Sequence, residues 1–188
     1  MSLACHDLRT PLATVHGFAR TLSRGESLGP TESRYVAMIE EASAQLAELV
    51  EALALVAQIE GGRYQPVVRP TDTLGLAHAA GAPFGPDAVE VAGTGAPVAV
   101  DAAPATRALA ALVDCIRRHG GVEQVRIDVA DTRLTLSPVP PEAAPVLLAE
   151  DLRDLGAAMA RTIVEAFGGS LELDGETLIV NLPAGCCA

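Results

Sequence analysis

The stretch LACHDLRTPLATVHGFARTL, residues 3–22, decides how the first part of the chain folds. Its large apolar residues recur every three or four positions, which is the spacing of one face of a helix. They are Leu8, Leu12, Val15 and Leu22. The pattern predicts an amphipathic helix over residues 2–24.

The polar residues between positions 6 and 11 form a chemical cluster on this helix. Pro11 has no N–H and bends the helix beside His6. A neutral imidazole can act as a nucleophile, and Asp7 could hydrogen-bond its second ring nitrogen. Arg9 and Thr10 share the face of His6, where Thr10 could orient a water or a phosphoryl oxygen. The residues alone leave two interpretations open: a nucleophilic site, or a solvated histidine beside a helix kink.

A second, longer helix follows. Gly and Pro in SRGESLGP, residues 23–30, predict a turn, and Thr31 is the expected N-cap. From Thr31 to Glu60 an apolar stripe runs along about 45 Å of helix, more than a small core can cover. We therefore expect residues 1–62 to form a helical hairpin that pairs with a second copy as a four-helix bundle. Gly61 and Gly62 end it.

Composition limits the class of protein. The 188 residues carry a net charge of −11, which argues against nucleic-acid binding. All basic residues are arginines, so no lysine ammonium group is available. No uninterrupted apolar run reaches the length of a membrane span, and the start lacks a signal-peptide pattern. We expect a protein without a membrane span.

Cysteine usage points to a reducing compartment. Cys5, Cys115, Cys186 and Cys187 are scattered and form no disulfide framework. This predicts a cytoplasmic location. The adjacent pair Cys186 and Cys187 is expected to be structurally idle, with a redox or metal role as the alternative.

Residues 63–188 mix helices with short strands. Residues 105–121 and 151–169 have helical spacing and end in glycines, the first helix at Gly120, whereas residues 122–140 contain two alternating strands. Asp174 and Gly175 predict the turn of a last β-hairpin. Helices with mostly antiparallel strands predict a two-layer α/β sandwich.

The first helix resembles the phosphoacceptor box of sensor histidine kinases, whose pattern is roughly S-H-(E/D)-L-R-T-P-L-x-x-I-x-G. Residues His6 to Leu12 match it consecutively, and Gly17 falls in register. The resemblance implies that His6 is phosphorylated at Nε2, that Asp7 is its acid/base neighbour, and that Thr10 assists dephosphorylation of the partner. Arg9 would offer its charge to the transferred group.

The other histidines match no position of this pattern. His16 is interpreted as a solvated or dimer-face residue, and His78 and His119 as structural residues. Only five residues precede His6, where kinases usually have one or more further helical turns. Either the protein starts abruptly or the chain is cut from a longer sensor.

The second half resembles the ATP-binding domain of the same kinases, a Bergerat-type α/β sandwich, but departs from it at the nucleotide site. The two N-box asparagines correspond to Ala111 and Cys115. PVPPEA, beginning at Pro138, replaces the adenine-recognising D-x-G-x-G box. Of the next glycine-rich box only Gly156 remains, beside Asp154, which would repel phosphate. A thiol is also a poor ligand for Mg²⁺, and too few residues lie between these boxes for an ATP lid.

The predicted fold class is therefore α plus α/β in two domains: the hairpin, residues 1–62, and a degenerate ATPase-like domain, residues 63–188. The expected function is that of a histidine phosphotransfer protein in a two-component phosphorelay. It would bind neither ATP nor a metal of its own, because the receiver domain of the partner response regulator supplies Mg²⁺. A histidine kinase is a further expected partner.

Three alternatives remain. The chain could be a non-catalytic regulator that binds a receiver or a kinase, a receiver phosphatase that uses Thr10, or an active kinase fragment.

Overall fold

The computed structural model describes residues 2–23, 28–151 and 153–185, with side chains from residue 12 onward. The chain divides into two compact units, Met1–Tyr64 and Gln65–Ala188.

The first unit is a helical hairpin made of α1, Ser2–Ser23, and α2, Pro30–Glu60. Both predicted helices are confirmed, but the expected N-cap is wrong. Gly29 occupies the cap and Pro30 the first helical turn, one residue before Thr31. Proline suits that position because the first helical N–H groups have no intrahelical acceptor. At the other end Gly62 takes a φ of 62°, a conformation that favours glycine.

Much of the hairpin's apolar surface is uncovered within the single chain. Phe18 is 67% exposed, Tyr35 59% and Met38 56%. Side chains of this size gain roughly 1.5–3 kcal/mol each when fully buried. The exposed stripe is therefore a large source of stabilisation that the hairpin does not use by itself.

Helix α2 is also long and apolar enough to cross a membrane by length and composition. Its most apolar window has a mean hydropathy of 1.3 and is 11% buried. Length and hydropathy alone do not distinguish a membrane-spanning helix from a long helix of a soluble protein. Glu48 and Glu51 lie within α2, and ionised carboxylates are costly in hydrocarbon. The absence of a membrane span stays a prediction.

The second unit is built on a five-stranded sheet in the order β2-β4-β5-β7-β6. Its strands are β2 Val89–Gly95, β4 Val125–Asp131, β5 Arg133–Ser137, β6 Ser170–Asp174 and β7 Thr177–Asn181. Only β2 and β4 pair in parallel. A two-stranded sheet joins β1, Arg69–Asp72, to β3, Pro97–Val100.

Three helices form the layer that covers the sheet: α3 Thr73–Gly81, α4 Ala102–Gly120 and α6 Leu155–Ala166. Helix α4 contacts α3 and α6, and each of the three contacts a strand of the sheet. The core between the layers is fully buried, with Leu112, Ile116, Ile127, Leu136 and Leu178 all at 0% exposure. The two-domain α plus α/β fold is confirmed.

Three local predictions for this unit need correction. Helix α4 runs through Gly120 and ends before Gly121, whose φ of 63° closes the helix. Helix α6 begins at Leu155 rather than 151, because Asp154 caps it. The last hairpin pairs Asp174 with Thr177, so its two loop residues are Gly175 and Glu176.

Candidate functional site

The phosphoacceptor box lies on the continuous helix α1. The structure describes the backbone of His6, Asp7, Arg9, Thr10 and Pro11 but not their side chains. Their helical setting agrees with the sequence, since positions three and four residues apart share one face. The roles of these residues stay predictions.

The structure brings together three of the four positions assigned to the degenerate nucleotide site. Ala111 and Cys115 lie one turn apart on α4, and Gly156 lies in the first turn of α6. A Cβ atom placed on Gly156 would lie 3.5 Å from Cβ of Ala111, so the two helices are in close contact there. Pro138 follows the end of β5 and is exposed. The next residue, Val139, donates a backbone hydrogen bond to the Glu176 carbonyl at 2.8 Å.

Asp154 organises the start of α6. Its carboxylate is 6% exposed, and Oδ1 accepts a hydrogen bond from the Ala157 N–H at 3.0 Å. An N-cap aspartate also favours the positive end of the helix dipole. The Asp154 carboxylate thus occupies the N-terminal end of α6, a position at which helices can bind anions.

The other oxygen of Asp154 meets two groups from the last turn of α4. Oδ2 lies 3.1 Å from Nε2 of His119 and 3.9 Å from a terminal nitrogen of Arg118. Arg118 also pairs with Asp114, which raises its pKa through their hydrogen bond. His119 has a specific partner, in agreement with the structural role expected for it.

Cys115 completes this cluster from inside the fold. Its side chain is fully buried, and burial followed by the charge of Asp154 raises the pKa of the thiol to about 12. The thiol is therefore protonated at neutral pH. Sγ of Cys115, a ring nitrogen of His119 and a carboxylate oxygen of Asp154 all lie within 4.8 Å of one another.

This cluster is not among the sequence-based predictions. Part of it could have been predicted, because the four-residue spacing of Cys115 and His119 places both on one face of α4. The proximity of Asp154 could not be read, because it depends on how α6 packs against α4.

The residues of the second unit do not fit Mg²⁺-ATP in the way the family resemblance requires. Mg²⁺ prefers an octahedron of oxygen ligands. Ala111 offers no donor atom, Cys115 offers a protonated thiol, and Asp154 is engaged with α6 and α4.

The segment where a kinase would carry its nucleotide lid is packed into the core. Val139, Ala143, Val146 and Leu147 are at most 1% exposed, and Ala144–Leu147 form a short helix, α5. No helix is predicted from the sequence between residues 140 and 151. Side chains buried this deeply anchor the segment, so it differs from a solvent-facing lid.

The remaining histidines differ in their surroundings. His16 is half-buried, and its Nδ1 lies 3.1 Å from Oγ of Ser43 and 3.3 Å from the carbonyl oxygen of Glu40. His16 therefore contacts α2 of its own chain, and its interpretation as a solvated or dimer-face residue stays a prediction. His78 is exposed on α3.

Comparison with known proteins supports the interpretation of both units. Residues 1–62 match the His Kinase A (phospho-acceptor) domain. An uncharacterized sensor-like histidine kinase of Rhizobium meliloti (strain 1021) is 32% identical over 74 residues, which are 37% of this chain and 14% of that protein. The match thus spans about one seventh of that relative.

Solved histidine kinases share the fold. Full-length ShkA, crystallised with AMPPNP, has a TM-score of 0.66 at 21% identity and covers 97% of this chain and 46% of its own. Histidine kinase AdeS of Acinetobacter baumannii has a TM-score of 0.63 at 19% identity, covering 96% of this chain and 98% of its own. The ATP binding domain of PrrB from Mycobacterium tuberculosis has a TM-score of 0.52 at 20% identity, and the match covers 63% of this chain and 98% of the PrrB domain.

Residues 1–62 therefore match a His Kinase A (phospho-acceptor) domain. The chain as a whole has the fold of solved histidine kinases, with a helical hairpin followed by an α/β unit.

Proposed function

We propose that the protein is a histidine phosphotransfer protein, filled and emptied at His6 by response regulators and not by ATP. The attacking Nε2 lone pair of His6 forms the N–P bond while the P–O bond to the receiver aspartate breaks, which returns a free carboxylate. The reverse step passes the phosphoryl group to a second receiver. Both phosphoryl compounds are high in energy, so transfer can run either way.

The observation that carries this proposal is the position of Asp154. Its carboxylate caps α6 at the N–H of Ala157, where phosphate binding would need a free helix end. A phosphate brought to this point would meet a nine-tenths buried carboxylate and would have to displace it. Repulsion between like charges strengthens in a poorly solvated site.

Two further observations support a transfer function without a nucleotide. Ala111 and Cys115 stand where the family resemblance calls for magnesium-binding asparagines, whereas the segment from His6 to Leu12 keeps the acceptor pattern. Phosphoryl transfer needs positioning and charge stabilisation, and the receiver domain of the partner would supply the Mg²⁺. The exposed stripe on α1 and α2 would be covered by a second copy, and a receiver would bind the resulting dimer in the cytoplasm.

The decisive experiment mixes the full chain with radiolabelled, phosphorylated receivers of the source organism, without ATP. We expect acid-labile label on the chain and its loss in His6→Ala. The matched control is His78→Ala, since His78 is an exposed histidine outside the acceptor helix. Failure of every receiver to label His6, or equal labelling of His6→Ala, would overturn the proposal.

Calorimetry with Mg²⁺-ATP tests the missing nucleotide site separately. We expect no binding heat, and micromolar binding would instead favour the kinase alternative. If His6→Ala preserves the signalling output in cells, the chain is a docking regulator. If Thr10→Ala alone slows loss of phosphate from the receiver while His6 stays unlabelled, the chain is a receiver phosphatase.

A further inference from the structure

Three potential metal ligands meet where α4 approaches the start of α6. Cys115 and His119 are one helical turn apart, and Asp154 reaches them from the cap of α6. Their nearest ligand atoms all lie within 4.8 Å of one another, and the His119–Asp154 pair is at 3.1 Å. Tetrahedral zinc, with bonds of about 2.0–2.3 Å, needs ligand atoms roughly 3.3–3.7 Å apart. The three ligand atoms are therefore near enough for one ion to reach all of them after small adjustments of the side chains.

The ligand types select the class of ion. A thiolate, an imidazole and one carboxylate suit Zn²⁺ and its spectroscopic substitute Co²⁺, whereas Mg²⁺ and Ca²⁺ require oxygen ligands. Cys115 is fully buried, Asp154 is 6% exposed, and His119 is 23% exposed. A site open on the His119 side allows an ion to enter and leaves a fourth position for water.

The surroundings also orient the ligands. The Ala157 N–H holds Oδ1 of Asp154, which leaves Oδ2 directed toward His119. Such outer-shell hydrogen bonds fix the orientation of metal ligands. Arg118 is the nearest competing cation, but its side chain is 64% exposed and pairs with Asp114 as well. It can therefore move away from Asp154 without leaving its other partner.

We propose that Cys115, His119 and Asp154 form a binding site for a zinc-class ion that joins α4 to the start of α6. On binding, the Cys115 thiol gives its proton to solvent and the sulfur lone pair forms the metal bond, with no change of oxidation state. The ion would thus stabilise the region that corresponds to the lost nucleotide site. This site goes beyond the proposed phosphotransfer, which does not require it.

Cobalt titration of the full chain tests the proposal. Cys5, Cys186 and Cys187 are first changed to serine, so that Cys115 is the remaining thiol. After treatment with a chelator, Co²⁺ should bind one per chain, with sulfur-to-cobalt charge-transfer absorption and the intense visible bands of tetrahedral Co²⁺. Zn²⁺ should displace it and raise the melting temperature as the free metal concentration rises.

The variants identify the ligands. Cys115→Ser should remove the charge-transfer band, and His119→Gln should weaken Co²⁺ binding by more than the 10- to 100-fold typical of outer-shell losses. Asp154→Asn keeps an N-cap residue but should also weaken binding. Asp72→Asn is the matched control, because Asp72 caps α3 in the same way and should bind Co²⁺ like the parent.

Either of two results would overturn the proposal. One is the absence of charge-transfer absorption in the parent; the other is unchanged Co²⁺ affinity in both Cys115→Ser and His119→Gln. Circular dichroism of each metal-free variant shows whether it has folded. A failed titration would leave the transfer of phosphate to His6 unaffected, since that reaction is measured without added Zn²⁺ or Co²⁺.

Discussion

The two units of this chain differ in how completely each buries its own apolar side chains. The second unit closes its own core, with Leu112 and Ile127 at 0% exposure, whereas the hairpin leaves Phe18 at 67% and Leu46 at 52%. The hairpin also keeps the acceptor pattern, whereas the second unit has the kinase-like fold without the motifs that the resemblance leads one to expect at its nucleotide site. Packing and ligand binding depend on different side chains, so a core can be kept while the residues of a site differ.

The largest effect should come from creating a cavity in the buried core of the second unit. Leu112→Ala removes a fully buried side chain between α4 and the sheet, so we expect about 3 kcal/mol of lost stability in the second unit. Hydrogen exchange of the β4 and β5 amides measures it. Leu46→Ala is the matched control, since the same change on the half-exposed α2 should leave those amides unchanged. Equal hydrogen exchange in both variants would contradict the view that the second unit closes its core by itself.

A smaller effect is expected where the hairpin's stripe meets a second copy. Phe18→Glu places a charge on the most exposed aromatic residue of α1, and we expect about a 30-fold weaker dimer, equivalent to about 2 kcal/mol. Sedimentation over a range of concentrations measures it. Val68→Glu is the control, because Val68 is a 49% exposed residue of the second unit. A monomeric parent protein would show that the stripe has another use.

The smallest effect concerns the Asp154 carboxylate at the start of α6. In chelator-treated protein, Asp154→Ala removes the α6 cap and the partner of His119, and we expect a loss of about 1–2 kcal/mol. Asp72→Ala removes only an exposed cap of α3 and should cost less, about 1 kcal/mol. Urea denaturation followed by circular dichroism distinguishes them. A stabilising Asp154→Ala would mean that the carboxylate is under strain there.

The sequence predicted most of the architecture, because strong periodic patterns and turn residues mark it. The helical spacing of α4 and the last β-hairpin are examples, and both elements are confirmed, although the hairpin loop lies one residue later, at Gly175 and Glu176. Two errors concern helices. Gly29 and not Thr31 is the N-cap of α2, because Pro30 can occupy the first helical turn. The short helix α5 lies in a stretch for which the sequence predicts no helix. At the candidate site the sequence located Ala111, Cys115 and Gly156, but the contact between Asp154 and His119 could not be predicted, because it depends on how α6 packs against α4.

The strand order has a consequence for how the second unit is made. Strand β5 lies at the centre of the sheet between β4 and β7, and 39 residues separate the end of β5 from the start of β7, with Leu134 paired to Val180. During synthesis β4 and β5 can form their local hairpin early, but the other edge of β5 stays unpaired until Thr177–Asn181 have left the ribosome. An unpaired edge of alternating apolar residues invites mispairing. Folding of this unit should therefore be completed late and should be most vulnerable to aggregation just before its last hairpin arrives.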